Sequence, residues 1–287
     1  MVNLNSKKFS FFDVVNAIFL GLFGFSTLYP FIYLLFVSLS PIEELMKGGI
    51  MLFPKVISLE SYKYVFSNPL MGSAYFVTIY ITVVGTLINL IISALTAYVL
   101  ANRQLPGRKL LTTMVLITMI FNGGLIPFYI VVKNLGMTNS LWALMIPSAI
   151  NTFWMLIMRN FFQGIPDSLA ESARMDGCSE YRILIRIILP ISLPIFATIG
   201  LFCGVSHWNE YFNAVLFLSK PSQMPLQIVI RSMYENATNI ISDGALPPPV
   251  ETIRAATIMV ATVPIICVYP FLQRYFVQGV MVGAVKG

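Results

Sequence analysis

The sequence predicts an all-α membrane protein with six transmembrane helices. Two observations carry that reading. Hydrophobic residues make up 57% of the chain and charged residues only 10%, with a mean hydropathy of +0.81. An average soluble domain carries about 25% charged residues and needs them to cover its surface. The apolar residues also gather into six runs, near 11–39, 73–101, 110–132, 140–158, 187–219 and 255–273. Each is near or above the roughly 20 residues that a helix needs to cross hydrocarbon. One transmembrane domain over 1–287 is expected, since no repeat or low-complexity tract appears and no connection is long enough for a soluble domain.

The first run is too long for a signal peptide and lacks a small-residue cleavage site, so it is expected to be a retained helix. The fifth is long and contains Pro190 and Pro194, which suits a helix that starts at the interface and then enters the membrane. The longest connections are 40–72 and 220–254. The latter contains GALPPPVE, whose successive prolines favour an extended linker.

Six crossings place both termini on one side. Eleven Lys and Arg residues fall on that side, at 7–8, 103–109, 159–186 and 274–286, and seven on the other. The richer side should be cytoplasmic, which makes both termini and residues 166–190 cytoplasmic. The net charge of +6 calls for no nucleic acid, because its excess lies where anionic lipid of the bilayer favours it. Cys178, Cys203 and Cys267 are scattered and have no metal-ligand spacing, so they read as small packing residues.

Several function classes are disfavoured. There is no G-x-x-x-x-G-K-[ST] loop to cradle phosphates. Asp13 and Glu210 are the only carboxylates inside apolar runs, and His207, the sole histidine, adjoins Glu210 but makes no metal site alone. No nucleophile–base set is apparent, so neither an enzyme nor a resident cofactor or metal is expected. Energy for uphill transport would have to enter from another subunit.

The segment LAESARMDGCSEYRILIRIILP, 169–190, is different in kind. Pro166-Asp167 breaks the chain, and Ser168 with Glu171 has the S-x-x-E form of a capping box. A short helix should run to about Asp176, with Gly177 ending it in the left-handed conformation. Ser179 can cap a second helix from Glu180, which Leu189-Pro190 leads into the membrane. Ala170, Ser172 and Ala173 are small enough to let another protein approach closely. On the residues alone, an ordinary capped interfacial loop fits equally well.

Glu171-Ser172-Ala173, Asp176-Gly177 and Ile187-x-Leu189-Pro190 closely resemble the E-A-A…D-G…I-x-L-P motif of ATP-binding-cassette importer permeases. Ser172 and Cys178 are mild departures. The resemblance implies the type I importer permease fold, with 166–190 as a cytoplasmic coupling segment. It makes Ala170, Glu171, Ser172, Ala173 and Asp176 the ATPase-coupling residues, Gly177 the turn, and Leu189-Pro190 the end of the motif. ATP and magnesium would then belong to the partner ATPase, with none in this chain.

Three further blocks, FNGGLIPFYIVVKNLGMTNSLWALMIP (121–147), GVSHWNEYFNAVLFLS (204–219) and FLQRYFVQGVMVGAVKG (271–287), are similar to carbohydrate permeases of the maltose type, smaller membrane subunit. The first block looks most like the branch for polysaccharide fragments, uronate-containing oligosaccharides included. This implies an oligosaccharide importer of a bacterial or archaeal cytoplasmic membrane. Its partners would be a second dissimilar permease, two ATPase subunits and an extracytoplasmic solute-binding protein. By the same resemblance Gly283, Lys286 and Gly287 reach the ATPase, although a frayed terminus accounts for them too. A permease of the superfamily for a polyamine, phosphate or peptide, and a carrier working alone, remain the alternatives.

For the substrate path, Trp208, Asn209, Glu210 and Asn213 are expected on one helix, with Asn209 and Asn213 sharing a face. Asn122, Asn151 and Trp154 add amides and an aromatic from earlier runs. Aromatic faces and amides suit the C–H faces and hydroxyls of a sugar. Hydrogen bonding between helices is the competing use of such residues.

Overall fold

The computed structural model describes residues 11–46, 53–242 and 250–284, and among them every regular element is helical. They fall into two compact units, one drawn from residues 1–68 and 232–262 and the other from 69–231 and 263–287. The first begins with α1 (Phe11–Ser38), α2 (Ile42–Met46) and α3 (Glu60–Ser67). The Ser38 hydroxyl meets the Tyr62 hydroxyl at 2.8 Å, and Ser58 N–H donates to the Leu39 carbonyl at 2.7 Å. These bonds pin the turn after α1 to α3.

The second unit is organised by α4 (Met71–Ala101), followed by α5 (Arg108–Ile120), α6 (Leu125–Asn134), α7 (Trp142–Met145) and α8 (Thr152–Gln163). Next come α9 (Asp167–Met175), α10 (Glu180–Ile183), a π turn at Leu184–Ile188, α11 (Leu189–Ile191), α12 (Leu193–Trp208) and α13 (Phe212–Phe217). Finally α14 (Leu226–Ser242) and α15 (Val250–Ala284) contribute residues to both units.

Helix α4 packs against α8 and α12. Its apolar length makes it membrane-compatible, but small residues make the packing possible. Ala94 and Ala97 of α4 are buried with Met155 and Met158 of α8 and Ile199 and Cys203 of α12. Gly200 and Gly204 bring the α12 backbone close to Leu90 and Thr86 of α4. Lipid is as apolar as a leucine core, so close van der Waals fit at such small residues is what favours helix pairing in a membrane.

Among the described residues three helices are long and apolar enough to cross a membrane alone, α1, α4 and the Val250–Val268 part of α15, or five if each of two bent pairs is one span. Six uninterrupted spans are therefore not found, and the causes are local. The run at 110–132 bends by 113° between α5 and α6. There Gly124 takes φ +85°, a conformation that side chains with a Cβ resist. The run at 140–158 is divided between α7 and α8, with Pro147 in the gap. The run at 187–219 bends by 83° at Ser192, where Pro190 and Pro194 remove backbone donors on either side. The same run breaks again at Asn209–Tyr211.

Candidate coupling and translocation site

Helix α9 starts at Asp167, with Pro166 as its N-cap and no side-chain cap bond. The expected capping box is not formed, because Ser168 already lies inside the first turn. Its carbonyl instead accepts from the Ser172 hydroxyl at 2.9 Å. Asp167 places its negative charge in that turn, where the helix dipole favours it. The other end matches the sequence reading closely. Gly177 takes φ +77°, its N–H donates to Arg174 O at 3.0 Å, and Cys178 N–H donates to Ala173 O at 2.9 Å. This pair of bonds is a Schellman stop, and it depends on a residue that accepts the left-handed conformation. Helix α10 begins at Glu180 after Ser179, as expected, though the Ser179 side chain makes no cap bond.

The faces of this helix–turn–helix are distinct. Ala173 is buried among Ile183, Leu184 and Phe162, in the cluster that also holds the α4–α8–α12 contact. It therefore belongs to the chain's own core and not to a docking surface. Glu171, Ser172, Asp176 and Gly177 are exposed, Ala170 is half-buried, and Met175 is 90% exposed. Leu189 is half-buried and Pro190 exposed, one turn before the bend at Ser192.

A side-chain link that the sequence reading missed braces the turn. Arg174 Nε donates to Glu180 Oε1 at 2.6 Å, and the Tyr98 hydroxyl of α4 donates to Glu180 Oε2 at 2.6 Å. The Glu180 hydrogen bond raises the Arg174 guanidinium above its ordinary pKa, and the bonds from Arg174 and Tyr98 hold the Glu180 carboxyl below its own. Tyr98, Arg174 and Glu180 line a cavity of about 550 Å³ with Asn102, Asp167 and Glu171. No motif announces the link. Only the six-residue spacing of opposite charges around Gly177 could have suggested it.

The candidate path residues share an unexpected property, since most sit at helix breaks. Asn122 accepts from Gly124 N–H at 2.9 Å and shapes the α5–α6 bend. Asn151 is the N-cap of α8, accepting from Trp154 N–H at 3.2 Å. Trp154 stacks on Phe202 of α12, with centroids 4.3 Å apart and planes at 10°. Asn209 is the C-cap of α12 and donates to Val205 O at 2.9 Å. Glu210 follows in the gap and accepts from both Asn213 N–H and Asn213 Nδ2, each at 3.0 Å. Asn209 and Asn213 are thus on different helices and share no helical face. Trp208 is buried. Glu210 is thus held by Asn213 of its own chain. Gln227 of α14 donates to Asn209 Oδ1 at 3.3 Å, and the Arg231 guanidinium lies over the Tyr211 ring at 5.1 Å.

A second side-chain link, centred on Asn89 of α4, was not singled out by any sequence pattern. His207 Nε2 lies 2.7 Å from Asn89 Oδ1, and Asn89 Nδ2 donates to Ser148 O at 2.6 Å. Since the amide nitrogen is committed to Ser148, its oxygen faces His207 and requires a protonated Nε2. The chain ties α4 to α12 and to the α7–α8 break. Gly85 makes room for it, because a Cβ there would lie 2.6 Å from the His207 ring. Among the expected C-terminal contacts, Gly283 lies in the last turn of α15, and Lys286 and Gly287 lie outside the described residues.

Comparison with known proteins bears on these features. The family described as binding-protein-dependent transport system inner membrane component matches residues 93–282. Protein LplC of Bacillus subtilis (strain 168) is 44% identical over 287 residues, covering 99% of this chain and 97% of that protein. The polygalacturonan/rhamnogalacturonan transport system permease protein YtcP of the same organism is 41% identical over 281 residues, covering 96% and 98%. A crystal structure of a bacterial ABC transporter involved in the import of the acidic polysaccharide alginate matches with a TM-score of 0.83 and 34% identity. That match covers 92% of this chain and 96% of the other.

Proposed function

Because this chain belongs to the family of inner membrane components of binding-protein-dependent transport systems, we propose that it is the membrane subunit of an ATP-driven importer whose cargo is an acidic oligosaccharide. A permease subunit of this kind carries out no covalent chemistry itself. Residues 1–287 would act as one permease domain with six crossings, the fourth made by the short α7–α8 pair, and both termini in the cytoplasm. A second, dissimilar permease would supply the other half of the path. Two ATPase subunits, holding ATP and magnesium, would dock below, and a solute-binding protein would deliver cargo from outside.

One observation supports the coupling role above others: α9 is anchored through Ala173 while its opposite face, with Glu171, Ser172 and Met175, is exposed. A short helix held on one side and open on the other can seat in an ATPase cleft. Displacement of α9 would then move α10, α11 and α12 as connected bodies. Gly283, Lys286 and Gly287 would add a second contact with the ATPase.

The path is supported by the helix breaks near Asn122, Asn151 and Asn209–Tyr211. Non-helical backbone at membrane depth is tolerated where it is buried in protein or lines a water-filled cavity. Asn122, Asn151, Trp154, Asn209, Glu210 and Asn213 would line or shape that route, with Trp208 packed behind it. The acidic cargo rests on likeness to the pectic permease and the alginate importer. Mass spectrometry of ligand copurifying with the cognate binding protein tests it. Uronate-containing oligosaccharide is expected, and a polyamine, phosphate or peptide would move the chain to another cargo class.

A further inference from the structure

Arg108, Lys109, Thr112 and Thr113 of α5 and Arg159 of α8 line a second cavity, of about 410 Å³. Its chemistry is one-sided. Three cations and two hydroxyls converge, and no carboxylate lines it. The Arg174–Glu180 ion pair lies elsewhere. Arg108 is held in place, its Nε donating to Leu100 O at 2.9 Å. Arg159 donates from Nη2 to Asn160 Oδ1 at 2.9 Å, while its Nε is buried without a partner.

This arrangement works against itself unless something negative enters. Arg108 and Lys109 occupy the first turn of α5, the positive end of the helix dipole, where cations are disfavoured and anions favoured. A third cation, Arg159, adds like-charge repulsion, and a buried unpaired N–H adds a desolvation cost. A phosphate offsets all three, since guanidinium groups match its oxygens in pairs of hydrogen bonds and hydroxyls complete the shell.

The apolar surroundings identify where the phosphate comes from. Leu116, Met119 and Ile120 continue the face of Lys109, Thr112 and Thr113 at helical spacing along α5 and are 40–76% exposed. They run away from the cationic end as acyl chains would run from a headgroup. We propose that Arg108, Lys109 and Arg159 form a binding site for the phosphate headgroup of an anionic phospholipid, with its chains along the apolar face of α5. Basic pockets between membrane helices suit such headgroups.

Native mass spectrometry of the assembled importer, titrated with phosphatidylglycerol or with phosphatidylcholine of the same chains, tests this proposal. Wild type should retain phosphatidylglycerol in preference, with retention falling about fivefold for each charge removed in Lys109→Gln and Arg159→Gln. Arg159→Lys should retain more than Arg159→Gln. Equal retention by wild type and the double variant, or equal retention of both lipids, would overturn the site. Binding of inorganic phosphate without retained phosphatidylglycerol would make it a free-anion site and overturn the lipid assignment. Should the double variant fail to assemble, Lys109→Gln alone, at an exposed position, decides: reduced retention supports the site and unchanged retention overturns it.

Discussion

Arg174 and Glu180 meet at 2.6 Å across the Gly177 turn, and Tyr98 of α4 donates to the other oxygen of the same carboxylate. The pair is exposed, with side chains 42% and 57% accessible, so its effect on folding should be at most about 1 kcal/mol. Its effect on coupling should be larger, because it fixes α9 relative to α10 and α4. Glu180→Gln should therefore lower sugar moved per ATP hydrolysed while changing melting temperature little. The exchange Arg174→Glu with Glu180→Arg should recover part of that ratio. Equal ratios in all three proteins would confine the pair to surface packing.

Gly177 is strained for any residue with a Cβ. Gly177→Val should cost about 1–2 kcal/mol in the left-handed conformation and disturb the bonds from residues 177 and 178 that close α9. Hydrolysis by the assembled importer should persist while uptake falls. Gly177→Asn, which visits that conformation more readily, should retain more uptake than Val. Identical uptake in both would show that the turn's geometry is irrelevant to coupling.

The Gly85–His207 contact gives a test of the core. A Cβ at residue 85 would sit 2.6 Å from the His207 ring, so Gly85→Ala must displace that ring or α4. Thermal unfolding in detergent should report a loss of about 1–3 kcal/mol. Asn89→Leu should cost a similar 1–3 kcal/mol by leaving His207 and the Ser148 carbonyl without their partner. A double variant of Asn89→Leu with His207→Leu should lose less than the sum of the singles. Simple additivity would deny that the two residues act together.

Glu210 offers a charge test of the path. Both its carboxylate oxygens accept from Asn213, which occupies the charge at the α12–α13 break. Asn213→Ala removes the side-chain partner and leaves the carboxylate less shielded. Uptake of a uronate oligosaccharide should then slow more than uptake of a neutral one of the same length. Equal slowing of both would place Glu210 away from the cargo.

The all-α class was legible because composition alone excludes a soluble surface, and α1 and α4 match their predicted runs within a few residues. The bend before α12 was also foreshadowed, by Pro190 and Pro194. The breaks at 121–124 and 209–211 were harder to see, since hydropathy averages over the few residues that turn the chain. Asn209 and Asn213 have one-turn spacing in the sequence, but the break at 209–211 puts them on either side of a new helix start, where Glu210 accepts from Asn213 N–H. The Gly177 stop was readable because only its local backbone matters. Ser168 fits the cap pattern, yet the helix starts at Asp167 and leaves Ser168 at its second position. The Tyr98–Glu180 and Asn89–His207 links join residues 82 and 118 apart. No local pattern in the sequence encodes such distant pairs.

Reconstitution tests the central claim most directly. Liposomes containing this chain alone should be compared with liposomes containing the chain, its partner permease, the ATPase subunits and the binding protein. Labelled uronate oligosaccharide should accumulate only in the complete set with ATP inside. Accumulation by the chain alone, without ATP, would contradict the account and make it a self-sufficient carrier.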